Sequence, residues 1–441
     1  MARLKKLLAA LLRYARVARD LFPLTALGAL VLAGAAVAFL RYGYRQVDLI
    51  LLVVGAVGLG LGVLCLLLVT GAAVWVWVRF RRLSGAEALR LECGFAARTG
   101  FQLPSLWYVP MVKLSWTWQS PEATVRAVPF RRRLHEEVTP SRRGLHEEIV
   151  RKLTVSDAFG LTAVTLTLRE ERAVRFVPSV GALKQMHVVR SIAGGDALSH
   201  PAGPPEGERA DMRHYNPGDP IKFVLWKVFA RSRQLVIRTP ERAISPVRQT
   251  VAYLVAGAED EPAAGAARVA VDSGALGSEW VLGADGNDVY AKSSVQALEL
   301  LARSAGTPPG GSGAGLQDFL NKATPGGSLG RAVVFVPGRP GPWLERVVAA
   351  ARSRSAPGQV WSPVEFVVCT DGIEVGRRSS WLPSWALRRE PPAPGRARAA
   401  ALKDVNAVCD ALGGARARVM VVDRLAGRVF AEGHRRAMEA T

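Results

Sequence analysis

The pattern of apolar and polar positions divides the chain into three stretches. Near the N-terminus stand two uninterrupted apolar runs, Phe22–Leu40 and Leu49–Val78, with no charge in either. Each is long enough to cross a bilayer core as a helix. From about Gly85 to Pro178 the period changes to two. Leu89–Cys93, Lys113–Trp118 and Ala163–Leu168 alternate apolar and polar residues, which predicts strands with one buried face. Turn residues separate them at the spacing of a small β-sandwich. From about Val247 the rhythm changes again. Strands are predicted at 250–256, 279–282, 332–336, 364–369 and 419–422, and helices at 293–304, 315–323, 342–353 and 403–412, with Gly413 and Gly414 as a C-cap. Strands alternating with helices imply a mostly parallel, doubly wound α/β sheet.

The organisation this predicts is a multi-domain chain. Residues 1–84 form an anchor with two transmembrane helices, about 22–40 and 49–78, and residues 85–180 a β-sandwich-like domain. Residues 181–245 hold a linker and the densest motif, 246–425 the α/β domain, and 426–441 a tail. The Gly/Pro/Ser stretch Thr307–Gly315 reads as a flexible connection, and Arg388–Ala401 as a mobile Pro/Arg/Ala linker.

Charge sets the expected topology. Arg3, Lys5, Lys6, Arg13, Arg16 and Arg19 precede the first run, and Arg79, Arg81 and Arg82 follow the second. Only Arg41 and Arg45 lie between, offset by Asp48. The positive-inside rule places both ends in the cytoplasm and the 41–48 loop outside. A cleaved signal peptide is disfavoured because a second span follows almost at once. Leu4–Phe22 mixes Leu with Arg and Lys at helical spacing, which suits either an amphipathic helix on the anionic inner leaflet of membrane lipid or an extension of the first span. The second run exceeds one crossing, so it tilts or lays its Trp-containing end at the interface. The formal charge of +21 over 441 residues would suggest nucleic acid in a soluble protein. Here the positive-inside bias accounts for part of it, and no aromatic–basic recognition motif supports nucleic-acid binding. Cys65, Cys93, Cys369 and Cys409 form no C-x-x-C pair, so neither a metal knuckle nor a disulfide framework is indicated.

The densest motif runs Arg213-His-Tyr215-Asn-Pro217-Gly218-Asp219-Pro-Ile-Lys222-Phe-Val-Leu-Trp226-Lys227-Val-Phe-Ala-Arg231 and on to Leu235. Upstream lie Arg142-Arg143-Gly144, Asp157-Ala-Phe159-Gly160-Leu161 and Val177-Pro178-Ser179-Val180, in that order. Together these resemble a bacterial membrane-anchored family, domain of unknown function 58. Its pattern runs roughly R-x-Y-x-P-G-D-x-x-R-x-I-D-W-K-x-x-A-R-x-x-x-L. Lys222, Leu225 and Ala158 depart from it. The resemblance implies a von Willebrand A-like α/β domain of Rossmann type, a place in the bacterial inner membrane, and association with a MoxR-type AAA ATPase.

The motif also has a physical reading of its own. Pro217-Gly218 is turn chemistry. Asp219 before Pro220 fits an N-cap and a first helical position, predicting a helix over 220–231 with Phe223, Trp226, Lys227 and Ala230 on one face. A strand over 234–239 would follow. Arg213, Lys222, Lys227, Arg231 and Arg238 face few acids. They form either a brace docking one domain on the other or a groove for an acidic partner.

A metal-binding von Willebrand A domain would need D-x-S-x-S after its first strand. Here that strand runs into Gly257-Ala-Glu259-Asp260-Glu261, and Thr370-Asp371-Gly372 lies one strand too late. Glu259, Asp260 and Asp371 are the only remnants, so no cofactor is expected, magnesium being the one candidate. Leu134-His135-Glu136-Glu137 recurs as Leu145-His146-Glu147-Glu148. The two could form a metal cluster across a hairpin. The simpler expectation is an antiparallel pair with solvated faces and cross-strand Arg–Glu contacts. No nucleophile elbow or Walker loop is present, and Cys369 has no nearby His in sequence. Two functions follow: a non-enzymatic membrane adaptor for cytoplasmic partners, possible as a homo-oligomer, or a metal-dependent binder or enzyme of the cell envelope whose site is hidden.

Overall fold

A computed structural model describes residues 20, 22–80, 83–84, 87–185, 211–216, 224–239, 249–277, 279–323, 330–354, 364–374, 393–415 and 417–430. The chain divides into two compact units, residues 1–179 with 391–396, and residues 180–390 with 397–441.

The first unit begins with the apolar runs. Helix α1 (Ala26–Val37) continues as a π-helical stretch over Ala38–Tyr44, and α2 spans Leu49–Phe80. Both are long and apolar enough to cross a membrane. Thr25 caps α1, accepting from Gly28 N–H at 3.0 Å. The two helices meet through small residues. A side chain added at Gly55 would lie 2.7 Å from Phe39 N, and one at Gly58 3.1 Å from Ala35 Cβ. Backbones this close are how apolar helices gain packing energy without a hydrophobic driving force.

The sandwich follows. Its strands are β1 (Leu83–Ser84), β2 (Leu89–Glu92), β3 (Ala97–Pro104), β4 (Val112–Ser120), β5 (Ala123–Phe130), β6 (Arg133–Pro140), β7 (Gly144–Asp157) and β8 (Ala163–Val177). One sheet has the order β1-β8-β7-β4 with β2 also on β8; the other is β3-β6-β5. Val69, Ala72, Ala73 and Val76 of α2 enter the core shared by the sheets, beside Phe101, Leu103, Trp116, Leu153 and Val155. At 1.5 Å per residue, 32 residues of α2 reach about 48 Å, against a hydrocarbon core of about 30 Å. The turns that pack on the sandwich are thus beyond the length that one crossing needs. The expected division at residue 84 is therefore replaced by one unit of helices and sandwich. The expected 388–401 linker is also ordered in part. Gly395 N–H donates to Ser141 O at 2.9 Å, and β16 (Ala400–Ala401) pairs with β15 (Ile373–Glu374) in the second unit.

The second unit is an α/β domain. Its strands are β11 (Gln249–Leu254), β12 (Trp280–Ala284), β13 (Gly330–Pro337), β14 (Glu365–Thr370), β17 (Arg418–Asp423) and β18 (Arg428–Phe430). They lie in the order β12-β11-β13-β14-β17-β18, all parallel except the last. Alternate residues of β11 enter two separate cores. Val251 and Tyr253 join the helices Leu316–Ala323, Trp343–Arg354 and Leu402–Gly413, whereas Ala252 and Leu254 join Glu261–Asp272 and Ser294–Arg303. Helices thus cover both faces, as a parallel sheet requires. Helix Leu402–Gly413 ends at Gly414, the expected cap, in a right-handed conformation with φ −61.

Candidate functional site

In an open α/β sheet, ligands bind outside the carboxyl ends of the strands, where the strand order reverses. Here the reversal lies between β11 and β13. Asp285, just past β12, dominates one side of this edge. It is buried and accepts from Tyr253 Oη at 2.7 Å, Ala256 N–H at 3.0 Å, Gly313 N–H at 2.7 Å and Gly315 N–H at 3.4 Å. Burial raises its pKa, and these donors only partly offset that. Arg346 Nη1 holds the same loop by the carbonyls of Gly310 and Ser312, at 2.7 and 2.8 Å. The expected flexible connection is thus a fixed loop. Its glycine N–H groups converge on an anion, as in a phosphate cradle, but the anion is the protein's own.

The acids singled out as metal remnants lie further along the edge. Arg424, 1% exposed, donates Nε to Asp371 Oδ1 at 2.7 Å and Nη2 to Oδ2. Ala397 N–H also donates to Asp371 Oδ2, at 2.7 Å. The third nitrogen, Arg424 Nη1, donates to the Glu261 carbonyl at 3.3 Å. Glu259, at φ 62, accepts from Arg398 N–H at 2.6 Å. Asp260 accepts from Gly257 N–H at 2.8 Å. Asp423 accepts from the N–H groups of Gly372, Leu425 and Ala426. A guanidinium, not a cation vacancy, faces Asp371. Among the described residues no three His, Cys, Asp or Glu side chains converge. Cys369 is buried and its thiol is pushed well above its ordinary value by that burial, which makes it a poor nucleophile. Sequence reading missed Asp285, Arg424 and the loop that closes on Asp285. The available signal was a Gly-rich stretch without a lysine.

The two His-Glu-Glu triplets are not hairpin partners. β6 pairs with β3 and β5, whereas β7 pairs with β4 and β8. The two lie in opposite sheets. Nor are the faces all solvated. Glu136 is 0% exposed. It accepts from Trp116 Nε1 at 2.9 Å, Trp118 Nε1 at 2.8 Å, Arg151 Nε at 2.9 Å and Thr99 Oγ1. Arg151 also binds Glu170 and lies 4.2 Å over the Phe101 ring.

Of the motif residues, Pro217, Gly218, Asp219 and Lys222 lie outside the described residues. Arg213 belongs to β9 (Asp211–His214), which pairs antiparallel with β10 (Val236–Thr239). Tyr215 N–H donates to Leu235 O at 2.8 Å, closing this hairpin. Among the described residues between the strands the helix is Trp226–Ser232; positions 220–223 of the expected 220–231 helix lie outside them. Val224 makes a β-bridge to Ile237, so extended backbone precedes Trp226, and Asp219-Pro220 does not cap this helix. Trp226 is 57% exposed and packs edge-on against Phe229 at 6.2 Å. Lys227 and Arg231 are exposed beside it.

The chain matches no protein-family model and no curated protein. One solved structure, a 2,6-sialyltransferase from Photobacterium sp. JT-ISH-224 with CMP and lactose, is similar at 6% identity and a TM-score of 0.20. That match covers 65% of this chain and 41% of that one. At this level the likeness bears on neither fold nor activity.

Proposed function

We propose that the chain is a membrane-anchored, non-enzymatic adaptor of the domain of unknown function 58 type. Its α/β domain is then a degenerate von Willebrand A-like module, presented in the cytoplasm to a MoxR-type AAA ATPase. The observation that carries this reading is the internal neutralisation of the sheet's carboxyl edge. Asp285 is taken up by four donors and Asp371 by Arg424, so the place where such folds hold a reactive ligand is filled from within. A doubly wound sheet supports the module, and the ordered motifs support the family. The start of α1 and the buried end of α2 both pack on the sandwich. This favours a helical hairpin with both ends on one face of the inner membrane.

The exposed Trp226, Lys227 and Arg231 are the partner contact in this reading, since an exposed Trp beside basic groups is typical of an interface anchor. Crosslinking the full chain in native membranes should capture an AAA ATPase. Trp226→Ala should cut that capture about tenfold, the effect of losing roughly 1.4 kcal/mol, while the melting temperature stays put. Capture of envelope components without any ATPase would overturn the reading.

A further inference from the structure

We propose that one end of the β-sandwich is a collar that sits in the anionic headgroup layer of the membrane; the proposal rests on the membrane reading above. Strand register brings three loops to that end. Pro104 pairs with Arg133, Phe130 with Arg133, Val112 with Asp157, and Ser156 with Ala163. The 105–111 loop, the 130–133 turn and the 157–162 turn therefore lie together. Among the described residues 87–179, the large apolar side chains left exposed are Phe95, Trp107, Tyr108, Met111, Phe130 and Phe159. All but Phe95 lie on this end. Trp107 is 64% exposed and Phe130 52%. An apolar cluster this open marks a contact surface rather than scatter.

Charge and continuity identify the occupant. Arg131, Arg132 and Arg133 are exposed in the same turn. Arg132 lies 5.1 Å over the Trp107 ring and Arg131 5.5 Å over the Phe130 ring. Aromatic rings backed by guanidinium groups are the composition of a membrane–water interface on its cytoplasmic side. The first apolar helix also starts here. Thr25 Oγ1 donates to Gly160 O at 2.7 Å, Thr25 N–H to Leu161 O at 3.0 Å, and Ala163 N–H to Pro23 O at 3.0 Å. A helix entering the bilayer from this point holds Trp107, Tyr108 and Phe159 at headgroup depth. The partner is thus an anionic phospholipid surface.

The test uses the full chain in nanodiscs containing phosphatidylglycerol or only phosphatidylcholine, with Cys409 changed to Ser. Nitroxides are placed one at a time through Tyr108→Cys, Val57→Cys and Glu122→Cys, and their collisions with oxygen and with a water-soluble nickel chelate are compared. Tyr108→Cys should fall between the two others, more open to nickel than Val57→Cys and several-fold less open than Glu122→Cys, which lies at the far end of the sandwich. Adding Arg131→Glu, Arg132→Glu and Arg133→Glu should raise nickel access at position 108 several-fold in the anionic discs. A label at 108 as open as that at 122, with 57 protected, overturns the collar alone. Labels at 57 and 108 both open overturn the membrane reading and the collar together. Protection at 108 that ignores lipid charge and survives the triple change would mean that protein covers this face, and also overturns the collar.

Discussion

The sandwich and the α/β domain each bury an arginine against carboxylates, but in different places. In the sandwich, Arg151 on β7 joins Glu136 on the opposite sheet and Glu170 on its own sheet. Two tryptophan N–H groups and Thr99 complete the shell of Glu136. This cluster ties two layers together. In the α/β domain, Arg424 meets Asp371 at the carboxyl edge of a single sheet, where ligands of such folds sit. The same pair of groups is a brace in one domain and a plug in the other. What separates them is location, because both arginines are buried and ion-paired.

The largest effect should come from breaking the brace. Glu136→Ala leaves the Arg151 guanidinium buried without its main counter-charge and strands two indole donors, a loss of about 3–5 kcal/mol. Glu147→Ala, on the exposed copy of the same tetrapeptide, should stay within about 0.5 kcal/mol. Tryptophan fluorescence during urea unfolding reads both, since Trp116 and Trp118 sit in the cluster. Equal effects would refute the brace. The plug comes next. Arg424→Ala should destabilise the α/β domain by about 3 kcal/mol, because Asp371 is left buried without its counter-charge, holding only the Ala397 N–H. Calorimetric titration with magnesium should give no binding heat for the unaltered chain. Tight magnesium binding there would show that Arg424 does not plug the edge.

The comparison also explains what could be read in the sequence. Five of the six strands of the α/β sheet and four of its helices were legible to within two residues, since buried β-branched runs alternate there with amphipathic segments; β18 (Arg428–Phe430) lies in the stretch read as a tail, too short to show a period. Helix Glu261–Asp272 was not. Its alanines are buried on every side, so no polar face gave a helical period. The tetrapeptides misled because identical residues met different partners. A bulge between His146 and Glu148 turns the second copy outward, while Arg151 and the indoles capture Glu136. Long-range partners of this kind leave no local pattern. The Asp219-Pro220 capping signal was sound chemistry that the chain does not use for the Trp226 helix, because Val224 is held by Ile237.

Asp157, a buried acid held by donors other than arginine, sharpens the contrast. Asp157 opens the Asp-Ala-Phe-Gly-Leu turn. It accepts from Phe159 N–H at 2.7 Å, Leu161 N–H at 3.2 Å, Thr162 Oγ1 at 2.7 Å and Thr162 N–H. Burial works against its charge, but the donors from Thr162, Leu161 and Phe159 outweigh it and hold the carboxyl below its ordinary value. A depressed folded pKa contributes stability that is fully present above the unfolded value, about 4, and is lost as pH falls through the folded one. Asp157→Asn should therefore cost about 1–2 kcal/mol at neutral pH, less than either arginine site. Melting temperatures of the two proteins should converge as pH drops below about 4, because the native carboxyl then gains the proton that removes its advantage. A gap that stays constant down to that range would mean the turn is held by its backbone geometry and not by the charge on Asp157.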